Sequence, residues 1–132
     1  MNSLKIISLG GFGRVTNNMF VYESEKDILI IDCGIGFPTD EMRGVDLVIP
    51  DVSYLLSRRN KIRGLVVSHG HYDHIGALPY ILPQLGNLPV FGSRWALALI
   101  KNKLSESGFS LRPRLMEISE GKKLHLGSFS LE

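Results

Sequence analysis

The sequence predicts an α/β (α+β) domain, a mixed sheet carrying helices, on three observations. Short apolar runs recur between glycine, proline and acidic turns, and Ile28-Leu29-Ile30-Ile31 and Leu65-Val66-Val67 are uninterrupted, as strands buried on both faces are. A stretch of helical spacing opens at Ser93 and stops at Gly108, between two such runs. At each end of the chain, strand-like runs follow one another with only turns between them, the pattern of an antiparallel meander.

Taken in order, Leu4 to Leu9 reads as a strand and runs into the turn Gly10-Gly11-Phe12-Gly13. Met19 to Tyr22 and Asp27 to Ile31 are two more strands, joined by Glu23-Ser24-Glu25-Lys26. Asp32-Cys33-Gly34 closes the second, and a loop through Pro38 leads to the apolar run Val45 to Ile49. Asp51 or Ser53 is placed to cap a short helix ending near Asn60. Leu65-Val66-Val67 then delivers the chain to Ser68-His69-Gly70-His71-Tyr72-Asp73-His74. Ile75 to Leu85 has helical spacing but contains Pro79 and Pro83, so the helix there is short or kinked. Pro89-Val90-Phe91 is a brief strand. Ser93 caps the clearest helix, with Trp95, Leu97, Ile100 and Leu104 on or near one face and Gly108 as its stop. Leu115 to Ile118, Lys123 to Leu126 and Ser128 to Leu131 read as short strands around Glu120-Gly121 and Gly127.

Composition bounds the function classes. At 132 residues, 44% hydrophobic and 21% charged, the chain suits one domain with a real core rather than a disordered segment. A formal charge of +2 permits a polyanionic partner without arguing for one; a local basic patch would be needed. Cys33 is the one cysteine, so no internal disulfide forms and a cytoplasmic location is the expectation. The N-terminal stretch lacks a signal-type apolar core, and no run approaches the roughly 18 apolar residues of a membrane span.

The chemistry concentrates at one place. His69, His71, Asp73 and His74 fall within six residues where a buried strand gives way to a helix. Imidazole nitrogen and carboxylate oxygen are the ligands zinc and similar divalent ions prefer. In an extended segment His69 and His71 project to one side, while Asp73 and His74 leave in another direction once the chain turns, which suits two ions. Such a pair acidifies a water, Asp73 acting on it with the dinuclear centre, and stabilises negative charge on a phosphoryl or carbonyl oxygen. Competing machinery is absent: Ser68 has no glycine-flanked elbow, and Gly10-Gly11-Phe12-Gly13 lacks the lysine of a phosphate-binding loop.

The pattern His69-x-His71-x-Asp73-His74 resembles the defining motif of the metallo-β-lactamase superfamily. Leu9-Gly10-Gly11, Asn18-Met19, Ile31-Asp32-Cys33-Gly34, Phe37-Pro38, Gly44 to Asp51 and the tail Ile75-Gly76-Ala77-Leu78-Pro79-Tyr80 resemble its ribonuclease J family, of the β-CASP branch. That resemblance implies a metal-dependent RNA hydrolase, endonuclease and 5′-to-3′ exonuclease, using two divalent ions, usually zinc. It implies that His69 and His71 hold one ion, that Asp73 and His74 hold the other, and that Asp32 orients the site through a ligand; a strand-end cap is the alternative role for Asp32. Some relatives carry a structural calcium, for which Asp46 and the Gly44 carbonyl are the matching oxygens, a solvated loop carboxylate being the plainer reading. Arg14, Thr16 and Asn17 depart from the family, which usually has glutamate, glycine and lysine there. His125, alone on a short strand, is expected to face solvent.

The resemblance also implies an αββα sandwich of which residues 1–132 form about the first half, one mixed sheet with helices. The β-CASP insertion and the remaining metal-ligand segments are then absent from the chain, so the isolated segment is expected to bind metal weakly and not to cleave RNA. An open sheet face predicts self-association as a homo-oligomer. Two other classes stay open: a related hydrolase of small esters, thioesters or lactams, and a non-catalytic interaction module.

Overall fold

The computed structural model describes residues 3–108, 110 and 112–132. Strands β1 (Lys5–Gly10), β2 (Met19–Glu23) and β3 (Ile28–Ile31) form an antiparallel meander. β3 then pairs in parallel with β4 (Ile62–Val66), β4 with β5 (Val90–Gly92), and β5 with β6 (Leu115–Glu117), so the sheet runs in chain order. The parallel connections carry the helices: α1 (Ser53–Leu56) with a 3₁₀ turn at Arg59–Lys61, then α2 (Tyr72–Ile75) and α3 (Leu78–Leu85), then α4 (Arg94–Glu106). β7 (Leu124–Leu126) and β8 (Phe129–Leu131) pair with each other as a separate hairpin.

Side-chain alternation divides the core in two. Met19, Val21, Ile28, Ile30, Leu65 and Val90 point to one face, where Leu55 of α1, Leu78, Ile81 and Leu82 of α3 and Ile100 and Leu104 of α4 cover them. Leu29 and Phe91 point to the other, where Leu124, Leu126, Phe129 and Leu131 of the hairpin pack on them. The unbroken apolar run of β3 is thereby explained: both of its faces are covered. Asp27 holds the hairpin in place. Its carboxylate accepts from the Ser128 amide at 2.8 Å and pairs with Arg63, and Ser24 Oγ lies 2.8 Å from Ser128 Oγ.

Several expectations are corrected in detail. The predicted helix over Ile75–Leu85 is two helices, because a continuous one would drive the Pro79 ring into the carbonyl of Ile75; Pro79 sits instead in the first turn of α3. Trp95 is not on the buried face of α4. It is 74% exposed, because Ala96, Ile100 and Leu104, spaced four apart, take that face and leave Trp95 turned about 100° away. Ser93 does cap α4, accepting from the Ala96 amide at 3.2 Å. Neither Asp51 nor Ser53 is the cap of α1; that position is Val52, and Asp51 accepts from the Ser53 amide in the preceding turn. The apolar run Val45 to Ile49 contributes a single bridge, between Gly36 and Val48. The expected mixed sheet with helices is present, and the β7–β8 hairpin packs on its second face.

Candidate metal centre

Parallel pairing of β3 and β4, with Ile31 beside Val66, brings the C-terminal ends of the two strands together. Asp32 continues the ladder, its amide donating to the Val66 carbonyl at 2.9 Å. It then adopts a left-handed backbone, φ 63°, which costs a non-glycine residue roughly 1–2 kcal/mol. Its buried carboxylate offsets that cost with three contacts: the Ser68 amide at 2.7 Å, the Ser68 hydroxyl at 2.8 Å and His74 Nδ1 at 2.8 Å. Ser68, which follows β4, is thus engaged with Asp32 rather than poised as a nucleophile.

His71 is the N-cap of α2, in extended conformation, and the single helical turn after it places Asp73 and His74. Close backbone packing fixes that turn. The Asn18 amide donates to the Asp73 carbonyl, the Cys33 amide to the His74 carbonyl, the Ile35 amide to the Tyr72 carbonyl, and the Ala77 amide returns to the Cys33 carbonyl. A Cβ at Gly34 would land on the Asp73 carbonyl oxygen, so only glycine permits this approach. Cys33 is fully buried, and burial, with the neighbouring Asp32 charge, pushes its thiol pKa far up, so it is a packing residue.

The three imidazoles converge. Ring centroids are 4.1 Å apart for His69 and His74 and 4.5 Å for His69 and His71. His74 is flanked by two carboxylates, Asp32 at Nδ1 and Asp73 Oδ2 at 3.3 Å from Nε2. His74 Nε2 and Asp73 Oδ2 thus sit side by side, an imidazole nitrogen and a carboxylate oxygen, the donor types a divalent ion prefers. The donor set therefore fits a divalent ion in its chemistry. It does not form a closed shell: among the described residues no three His, Cys, Asp or Glu groups are arranged to hold an ion as they stand.

Asn18 escaped the sequence reading as a site residue. Its side-chain nitrogen lies 3.1 Å from the Asp73 carbonyl, 3.3 Å from Asp73 Oδ2 and 3.4 Å from His74 Nε2. Asn17 tolerates the left-handed backbone of this loop, φ 64°, as asparagine does. Tyr72 is pinned outward against α4, with Lys103 Nζ 4.5 Å above its ring. The structure does not bring the remaining candidates to the cluster. His125 is exposed on β7, and Gly44 and Asp46 lie exposed on the loop between β3 and α1. No helix among the described residues is long and apolar enough to cross a membrane.

Comparisons agree with this architecture. Ribonuclease J of Synechocystis sp. is 44% identical over 131 residues, covering 98% of this chain and 20% of that protein. Ribonuclease J of Thermus thermophilus is 41% identical over 133 residues, covering 96% and 23%. The chain thus spans about a fifth of the length of the curated relatives it matches. Among solved structures, the metallo-beta-lactamase fold protein YhfI from Bacillus subtilis superposes with a TM-score of 0.59 at 19% identity, over 97% of this chain and 51% of that one. The Rm3 metallo-beta-lactamase does so with a TM-score of 0.60 at 17% identity, over 95% and 46%. Residues 12–119 match the model of the metallo-beta-lactamase superfamily, and with the sheet order, the His-x-His-x-Asp-His turn and its Asp32 support they make this chain a member of that superfamily.

Proposed function

We propose that this chain is the metal-ligand segment of a two-ion ribonuclease, hydrolysing RNA phosphodiester bonds in the manner of an endonuclease and 5′-to-3′ exonuclease of cytoplasmic RNA maturation and decay. The observation that carries the reading is His74 held between two carboxylates, with His69 and His71 beside it. Divalent ions, zinc by preference for this nitrogen-rich set, supply the acidified water and the positive charge that the reaction needs. His69 and His71 would hold one ion, and Asp73 and His74 the other. Asp32 keeps the proton of His74 on Nδ1 and so presents Nε2 as a ligand, while Asn18 steadies the Asp73 carboxylate. The ribonuclease J relatives support RNA as the substrate.

Four donors are few for two ions that each take about four ligands. The 132 residues alone therefore hold metal at partial occupancy and do not turn over RNA. Calorimetric titration with zinc is expected to give binding that His71→Ala weakens, with no cleavage of a single-stranded RNA. Zinc binding indifferent to His71→Ala would overturn the ligand assignment, and turnover by this chain alone would overturn its incompleteness. We also propose self-association through the partly covered sheet face, where Ile6 is 63% and Met116 45% exposed.

A further inference from the structure

The end of the sheet opposite the histidines carries charge that the proposed reaction does not use. The N-terminal ends of β4, β5 and β6 lie side by side, and a shallow depression there is lined by Arg59, Arg63, Asn87 and Arg114 around Ile62 and Leu88. Nearby carboxylates are already committed. Glu23 lies within ion-pair distance of Arg58 and Lys61, and Asp27 pairs with Arg63. Among the described residues neither Arg59 nor Arg114 has an acidic partner, and Arg112 adds a third exposed guanidinium two residues before Arg114. Among the described residues no acidic side chain lines the depression. Chain-wide the net charge is only +2, so this end concentrates positive charge that the composition conceals.

We infer that this surface binds the phosphate backbone of a single nucleic-acid strand, as an anchoring contact separate from the histidine cluster. Guanidinium forks suit phosphate oxygens, and Asn87 offers a further neutral donor beside them. The strand from Ile62 to Ser68 separates the two places by roughly 20 Å at 3.3 Å per residue, so the contact positions a strand and takes no part in bond cleavage. That the polyanion is RNA rests on the proposed ribonuclease reading; the surface itself rests on charge alone.

The test is fluorescence anisotropy of a labelled single-stranded RNA with the 132-residue chain, in EDTA, across a salt series. The wild-type chain is expected to bind with a negative slope of log affinity against log salt. The double variant Arg59→Ala/Arg114→Ala is expected to flatten that slope by about 1.4, the value for two lost phosphate contacts on a single strand. Arg59→Lys/Arg114→Lys should restore most of it. Single-stranded DNA should compete, since phosphates are what is read. Should the alanine variant unfold by circular dichroism, amide-exchange protection on the wild-type chain at 59–63, 86–90 and 112–114 after adding RNA reads the same contact. An unaltered slope in a folded double variant, absence of protection there, or preference for polyglutamate over RNA would each overturn the proposal. Because binding is read without metal, loss of the ribonuclease reading would leave this result standing, and the reverse.

Discussion

Asp32 holds a strained backbone and three hydrogen-bond partners at once, and this makes it the residue through which the histidine cluster is most easily disturbed. Asp32→Asn keeps a side chain that tolerates the left-handed backbone but loses the negative charge facing His74. Removing such a ligand-orienting carboxylate typically costs 10–100-fold in metal affinity, so zinc titration of Asp32→Asn is expected to show a loss of about that size. An affinity equal to that of the wild type would mean that Asp32 only terminates its strand. At this scale the sequence was legible where the chemistry is contiguous. His69, His71, Asp73 and His74 sit together in the chain, so their type and spacing already point to a cation. Asn18 was not legible, because 55 residues separate it from Asp73 and no local pattern marks the contact. Trp95 misled for a related reason: a large apolar side chain was assigned to a buried face that small Ala96 takes.

Among the elements, the β7–β8 hairpin is tied to the sheet by apolar packing and by the carboxylate of Asp27. Arg63 and the Ser128 amide hold the Asp27 pKa below the ordinary carboxylate range, against the opposing effect of burial. A carboxylate depressed on folding contributes stability that is fully present above its unfolded pKa. That stability is lost as pH falls through the folded value. The hairpin is therefore expected to hold through the ordinary carboxylate range and to loosen only at more acid pH, before the helical face does. Asp27→Asn should remove that acid-dependent step and cost about 1–3 kcal/mol at neutral pH, read by denaturant titration. Identical acid sensitivity in the variant would place the step elsewhere. The parallel strands and α4 were readable from apolar runs and the Ser93 cap. The packing partner of the hairpin was not, since short amphipathic strands do not state which sheet face they will cover.

For the molecule as a whole, one face of the sheet is closed by helices and the other only in its middle. Leu4, Ile6 and Met116 stay 56%, 63% and 45% exposed on the hairpin's side of the sheet, and among the described residues no strand pairs with the outer edge of β1 or of β6. Sedimentation over a concentration series is expected to show reversible self-association, and Ile6→Lys should weaken it without changing the helical content. A monodisperse monomer at high concentration would count against that. The family and its fold were legible from the motif and its flanks, whereas the uneven covering of the second face depends on tertiary packing between distant segments.

The loops that end β3 and precede α2 are tied together by reciprocal backbone bonds, with Gly34 seated on the carbonyl of Asp73. Coordination by the proposed ligands would for that reason share one thermodynamic cycle with folding. A cation that needs this loop pair assembled binds the native chain in preference to the denatured one. At a free concentration a hundredfold above its dissociation constant it would raise the unfolding free energy by about 2.7 kcal/mol. A chelator would then lower the melting temperature of a chain whose hydrophobic core it never touches.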